Sequence, residues 1–324
     1  MSLSRQSLSQ PGLSRRALLG GGLSLSAAAV LTACGGNSNP LAGGSAAPSG
    51  SAMGSAPAGA AVVGSASFTE NIILANIYSM ALKAKGVTSS AKASLGSREI
   101  YIPALRDGSI SVIPEYTGNL LLYLDAKATA TTAAEVEAAL PAAVGSNLKI
   151  LKPSKAVDQD VYVVTKEFSQ QNGVSSLADL AKVAANVTLG GPTELKERAY
   201  GPPGLKEIYG ATLKGFTAYN SPAVKIKDLK DGKIQLATFF TTESAIADNG
   251  FVPLADPKSM ILPQNIIPLV RADIAANQTA ADALNAVQAA LTTDELTALN
   301  KKVDSDHQDA ADVAAEWLKS KSLG

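Results

Sequence analysis

The sequence predicts an α/β protein built of two similar lobes and preceded by an export segment. Three observations lead there. Short apolar runs alternate with amphipathic stretches from residue 60 to the C-terminus. One pattern of helix end, glycine and strand start occurs twice. The chain's one cysteine, Cys34, closes an apolar N-terminal stretch.

The bulk properties narrow the function. A chain of 324 residues is long enough for two modest lobes. Its 28 Lys+Arg balance 28 Asp+Glu, so it has no general electrostatic pull on nucleic acid, and no nucleic-acid partner is expected. With a single cysteine no intramolecular disulfide forms. The one histidine, His307, lies in Asp304-Ser305-Asp306-His307-Gln308-Asp309, a polar segment where a solvated or capping role is expected. A histidine triad or multi-histidine metal site is therefore hard to build, and no GxSxG, HExxH or P-loop pattern occurs. The expectation is a protein that is not an enzyme and carries no cofactor or metal.

The first 34 residues read as a signal rather than as part of the fold. Arg15 and Arg16 form a basic region, and the apolar stretch 17–31 is too short and too rich in Gly and Ala for a membrane span. Leu31-Thr32-Ala33-Cys34 resembles a bacterial lipobox, in which the cysteine is acylated and becomes the new N-terminus. An ordinary signal peptide with an incidental cysteine is the alternative. Ser14-Arg15-Arg16-Ala17-Leu18-Leu19 also resembles a twin-arginine signal, with Leu18 where an aromatic is usual, so Tat and Sec export both stay open. Residues 35–59 are mostly Gly, Ser, Ala and Pro. They cannot bury a core, and they read as a flexible tether with a reach of roughly 25–30 Å.

Within the folded part, 60–64 reads as a buried strand. A helix is expected over 70–85, with apolar Ile72, Ile73, Ala75, Ile77, Met80 and Ala81, stopped by Gly86. Further strands are expected at 110–113, 148–151, 161–164, 187–190, 215–219, 234–239 and 266–270. Helices separate most of them, which argues for a largely parallel sheet. The last segment is helical over 281–290, 293–302 and 310–319, with Trp317 and Leu318 on an apolar packing face.

The repeated pattern is Leu105-Arg106-Asp107-Gly108-Ser109-Ile110-Ser111-Val112 against Leu229-Lys230-Asp231-Gly232-Lys233-Ile234-Gln235-Leu236. Each copy ends a helix with a glycine and then starts a strand. Each strand runs into an aromatic and hydroxyl-rich loop, Pro114-Glu115-Tyr116-Thr117-Gly118-Asn119 and Phe239-Phe240-Thr241-Thr242-Glu243-Ser244. Ligands of open α/β sheets bind beyond the carboxyl ends of strands, near helix N-termini, so two such loops facing each other would line a cleft.

These loops carry a resemblance. Together with Gly64-Ser65-Ala66-Ser67-Phe68-Thr69-Glu70-Asn71, Gly96-Ser97-Arg98-Glu99, Pro103-Ala104-Leu105, Gly204-Leu205-Lys206, Tyr209-Gly210 and Leu291-Thr292-Thr293, the chain from residue 60 onward resembles the glycine betaine/choline/carnitine-type (quaternary-amine) substrate-binding proteins of ABC importers. The resemblance implies a two-lobed periplasmic-binding-protein fold of type II, with the ligand cleft between the lobes. Lobe 1 would hold 60–158 and 266–324, and lobe 2 would hold 159–265. It also implies a quaternary-amine ligand, an ABC permease and its ATPase as partners, and a lipid anchor holding the protein on the extracytoplasmic face of the cell membrane. The same fold with another kind of ligand, or a sensor or scaffold lipoprotein without transport, are the alternatives.

Quaternary ammonium groups donate no N–H bond and are held by aromatic faces, at about 0.5–2 kcal/mol per ring. By the resemblance Tyr116, Tyr162 and Phe240 match cage positions, and Arg198 matches an arginine suited to a bidentate carboxylate clamp. Asn119 stands where the family often has Thr or Asp near the ligand. Tyr200, beside Gly201-Pro202-Pro203-Gly204, is a further candidate ring. Thr69 and Asn71 open the first helix, where donors face anions. Packing roles for Tyr116 and Tyr162 and a solvated Arg198 are the plainer readings. Two departures bear on the ligand: Ser65-Ala66-Ser67 replaces a lysine of some members, and Pro202 replaces a tyrosine. Choline-like cations and larger betaines stay open beside glycine betaine.

Overall fold

The structure is a computed structural model that describes residues 60–324. The expected signal, lipidation site Cys34 and tether lie outside the described residues.

The first run of elements is β1 (Ala61–Gly64), α1 (Thr69–Ala84), β2 (Ser89–Lys92), α2 (Arg98–Asp107), β3 (Val112–Tyr116), α3 (Thr117–Leu124), α4 (Ala133–Val144) and β4 (Leu148–Ile150). The chain then crosses to β5 (Asp160–Val164), α5 (Lys166–Asn172), β6 (Thr188–Gly191), α6 (Pro202–Tyr209), β7 (Gly215–Ala218), α7 (Pro222–Lys230), β8 (Leu236–Phe240), α8 (Ala245–Asp248) and β9 (Val252–Pro253). It returns through β10 (Ile266–Arg271) to α9 (Ala272–Ala276), α10 (Gln278–Ala290), α11 (Thr293–Asp304) and α12 (Ala310–Ser320). Two five-stranded sheets result, ordered β2-β1-β3-β10-β4 and β7-β6-β8-β5-β9. Each is the centre of one lobe.

Both sheets are mixed, which corrects the expectation of a largely parallel arrangement. β10 runs antiparallel to β3 and β4, and β5 runs antiparallel to β8 and β9. The cause is the crossover. β5 and β10 are the first strands after the chain passes between lobes, so each enters its sheet from the cleft side. The parallel strands β1, β2 and β3, and β6, β7 and β8, point their C-termini at that side. The two crossing segments lie side by side, with Val157 bridged to Asn265 and the Asp158 N–H donating to the Gln264 carbonyl at 3.1 Å. Such paired connections make a hinge.

The local signals explain most elements. In α1, Ile73, Leu74, Ile77, Tyr78, Ala81 and Leu82 share one buried face. It packs against Leu284, Val287, Val313 and Trp317 of α10 and α12. On the sheet's other side Ile102, Leu105, Ile113, Leu120 and Leu269 form a second layer. Each such side chain adds about 1.5–3 kcal/mol. In lobe 2, Tyr162, Leu177, Leu189, Leu205 and Leu236 form the main core. Both α4 and α11 start with reciprocal capping boxes, Thr132 with Glu135 and Thr292 with Glu295. The repeated pattern holds: Gly108 caps α2 at φ +86° and Gly232 follows α7 at φ +73°, and β3 and β8 come next. β3 starts two residues later than expected and extends through Tyr116, because β10 pairs with it from Ile266 opposite Tyr116 to Val270 opposite Val112. β2 has no apolar run to reveal it, and β9, only two residues long, lies in a short apolar run that contains Pro253.

Candidate functional site

β3 and β8 are equivalent in the two lobes, and both end at an aromatic residue. Tyr116 closes β3, Phe240 closes β8, and Phe68 precedes the first turn of α1. Their rings meet between the lobes: Phe68 lies 4.9 Å from Phe240 and 5.9 Å from Tyr116, centroid to centroid, at interplanar angles of 30° and 37°. Phe68 was part of a quoted motif but not a candidate ring, since the residue before a helix has no periodicity to mark it.

Tyr116 is buried, and its hydroxyl donates to Glu70 Oε1 at 2.8 Å. Its N–H donates to Glu115 Oε2. Gly118, two residues on, lets α3 approach the second crossing segment. A Cβ there would sit 2.6 Å from Leu262 and 2.7 Å from the Pro263 carbonyl oxygen. The Gly118 N–H donates to that same carbonyl.

Asn119 bridges the lobes. Its Nδ2 donates to Asp160 Oδ2 at 2.6 Å, while its Oδ1 accepts from Gln264 Nε2 at 2.6 Å. Asp160 is half-buried, and desolvation raises its pKa against the lowering effect of Asn119 and Arg98. Arg98, at the start of α2, makes a bidentate pair with Glu115 at 3.1 and 2.8 Å, and Tyr101 donates to the same carboxylate. None of Arg98, Tyr101, Glu115 and Asp160 was a candidate site residue, although Arg98 and Glu115 lie in stretches that carry the resemblance. The Ser97-Arg98-Glu99 stretch was the available signal.

Arg198 also spans the cleft. Its guanidinium pairs with Glu99 of α2 at 2.7 and 3.1 Å and lies 5.4 Å from the Tyr123 ring centroid. Burial pushes Glu99 up, but the hydrogen bonds from Arg198 and Ser97 outweigh it and hold the carboxyl at about 2. Tyr200 and Tyr162 lie in the lobe-2 core, and the Tyr162 hydroxyl donates to the Tyr200 carbonyl at 2.6 Å. Both polar ends of Asn71 are engaged by backbone: Oδ1 accepts from Ala66 N–H and Nδ2 donates to the Pro114 carbonyl. Thr69 donates to Asp304. The structure thus gathers Tyr116 and Phe240 with Phe68 at one place, and Asn119, Arg198 and Tyr200 around Asp160, Arg98 and Tyr123 at another. Thr69, Asn71 and Tyr162 have internal partners.

Deeper behind Tyr116, Glu70 Oε2 accepts from the Thr242 hydroxyl at 2.7 Å and from Asn300 Nδ2 at 2.9 Å. Asp158 Oδ1, in the first crossing segment, accepts from the Thr242 N–H and the Thr241 hydroxyl. Among the described residues no cluster of His, Cys, Asp and Glu suits a metal ion.

Comparison with known proteins fits this architecture. Residues 60–320 match the family described as OpuAC, substrate binding domain of ABC-type glycine betaine transport system. The glycine betaine-binding protein YehZ of Escherichia coli (strain K12) is 28% identical over 273 residues, covering 80% of this chain and 90% of that protein. A glycine-betaine-binding protein of Pseudomonas aeruginosa is 27% identical over 275 residues, covering 81% and 88%. Among solved structures, apo YehZ superposes with a TM-score of 0.58 at 27% identity, covering 82% of this chain and all (100%) of that one. A glycine betaine/carnitine/choline ABC transporter structure reaches 0.64 at 20% identity, covering 81% and 99%, and shares the fold. The two-lobed architecture, the crossover hinge and the match over the folded part together place the chain in the family of substrate-binding domains of ABC-type glycine betaine transport systems.

Proposed function

We propose that this protein captures a quaternary-amine solute of the glycine betaine, choline or carnitine kind in the cleft between its lobes and hands it to an ABC permease driven by its ATPase. The lobes would divide at residues 60–158 plus 266–324 and 159–265. The observation that carries the reading is the meeting of Phe68, Tyr116 and Phe240, contributed by both lobes, beside buried carboxyl groups. Aromatic faces and nearby negative charge are what a cation without N–H donors requires. A micromolar binder needs about 8 kcal/mol net, so several rings must act together, after closure costs. Tyr200 and Asn119 would complete the walls. Arg198 is already paired with Glu99, so clamping a ligand carboxylate would require it to exchange partners.

The family is one of transport binding proteins rather than enzymes, and it works outside the cytoplasm. Among the described residues no helix is long and apolar enough to cross a membrane. Lipidation at Cys34 with 35–59 as the tether would keep the protein at the membrane face. Metabolic labelling with a fatty acid tests this: the wild type takes up label, and Cys34→Ser does not.

The ligand reading is tested by calorimetric titration of the full-length protein with choline, glycine betaine, carnitine, proline betaine and ergothioneine, with sugars as controls. Binding of quaternary amines alone is expected. Binding of a sugar alone would leave the fold and remove the aromatic-cage assignment.

A further inference from the structure

Two buried carboxyl groups, Glu70 in the first turn of α1 and Asp158 in the first crossing segment, have partners that do not neutralise them. Glu70 Oε1 and Oε2 together accept three hydrogen bonds, from Tyr116, Thr242 and Asn300. Asp158 Oδ1 accepts two, from Thr241 and Thr242. None of these donors carries a positive charge. Asp158 Oδ2 is different: it is buried and receives no hydrogen bond, although Thr242 holds the two carboxyls side by side, its N–H on Asp158 at 3.1 Å and its hydroxyl on Glu70 at 2.7 Å. Two ionised carboxylates facing each other in a dry site repel, and an orphaned buried oxygen carries the full desolvation penalty. One proton removes both problems.

We infer that Asp158 holds a proton on Oδ2 and donates it to the Glu70 carboxylate, and that this protonated pair is the clasp that holds the lobe-2 loop Thr241-Thr242 against lobe 1 and positions Tyr116. Asp158 and Glu70 are thus positioning residues for the cleft. The arrangement is economical in donors. Thr242 alone contributes its N–H to Asp158 and its hydroxyl to Glu70, so the loop that follows Phe240 is fixed to both acids. Opening the lobes pulls Thr242 away and admits water to the pair.

Burial raises both carboxyls above their ordinary range, and the Glu70 charge raises Asp158 further, while hydrogen bonding lowers Glu70 in part. Of the surrounding titratable groups, the Asp160 charge raises Asp158, while the hydrogen bond from the Tyr116 hydroxyl lowers Glu70. Tyr116 faces Glu70 from the end of β3, Asp160 faces Asp158 from β5, and Glu243 faces Glu70 from the loop after β8. Asp304, at the end of α11, in turn faces Glu243. A folded-state pKa above the unfolded value gives stabilisation that is complete at acid pH and is lost as pH rises through the raised value. The clasp therefore weakens on the alkaline side.

The decisive variant is Asp158→Asn, because asparagine presents the same acceptor at Oδ1 and a permanent donor at the Oδ2 position. The full-length wild type and this variant are compared from about pH 5 to about pH 9, first by thermal unfolding without ligand and then by affinity for choline and for glycine betaine. At acid pH the two unfold alike. As pH rises the wild type loses melting temperature relative to the variant, and its affinity falls by up to about tenfold per pH unit while the variant's does not. Titrations of the wild type in buffers of different ionisation enthalpy show proton uptake on binding. Parallel pH profiles overturn the inference, and so does an Asp158→Asn chain that fails to fold at acid pH, since it mimics the protonated acid. The inference rests on the ligand reading only for its affinity arm. If neither amine binds, that reading fails, and the ligand-free unfolding profile still decides the carboxyl pair.

Discussion

At the scale of single residues, Tyr116 combines two functions that substitution separates. Its ring adjoins Phe68 and its hydroxyl serves Glu70. Tyr116→Phe removes a hydrogen bond to an acidic group, a loss of about 1.5–3 kcal/mol. At about 2–4 °C per kcal/mol for a chain of this size, a fall of several degrees in Tm is expected, with affinity for the bound amine kept within a few fold. Tyr116→Ala also loses the ring, and binding should weaken at least about tenfold, equivalent to 1.4 kcal/mol. Equal affinity loss in both variants would assign the effect to the hydroxyl and remove the ring from the cage. The sequence marked Tyr116, Asn119, Arg198 and Phe240 by their loops. It did not show that Arg198 is paired with Glu99 or that Asn71 is spent on backbone, since those partners lie 99 and 43 positions away.

At the scale of elements, α3 depends on how closely it approaches the second crossing segment. Gly118→Ala forces its Cβ into the Pro263 carbonyl and Leu262, a strain of about 1–3 kcal/mol. Chemical denaturation should show that loss with an unchanged m-value; unchanged stability would mean that the crossing segment yields freely. The α2 contact with lobe 2 makes a second prediction. Glu99 is 47% exposed and the Arg198 side chain 13%, so the pair contributes little to equilibrium stability once solvent screens it. Its removal in Glu99→Gln should instead speed ligand release a few fold, with a smaller difference at high salt, as read by stopped-flow displacement. The Glu99 carboxyl is held low, so this contact is present at neutral pH and is lost as pH falls through about 2 to 4. A release rate identical to wild type at low salt would mean the pair takes no part in closure.

For the whole molecule, two sheets share one hinge, and the rings, Asn119, Arg198 and Thr242 all act across it. The chain's one tryptophan, Trp317, lies in a core of residues drawn entirely from lobe 1 and its C-terminal helices. Its fluorescence should change strongly on unfolding and little when ligand closes the cleft. A large shift on binding would show that closure repacks lobe 1 rather than rotating it as a unit.

The sequence by itself determined the α/β class, the helix of α1, the three C-terminal helices, the doubled helix–glycine–strand pattern and the aromatic residues that come after it. These are set locally: periodicity, capping and glycine act over a few residues. Only the tertiary structure decided the reversed direction of β5 and β10, the edge strands β2 and β9, and the pairing of Glu70 with Thr242 and Asn300. A polar edge strand such as β2 leaves no pattern, and a two-residue strand with a proline, such as β9, is too short to show one. Direction and polar pairing depend on where the chain crosses between lobes, and residues up to 230 positions apart meet there.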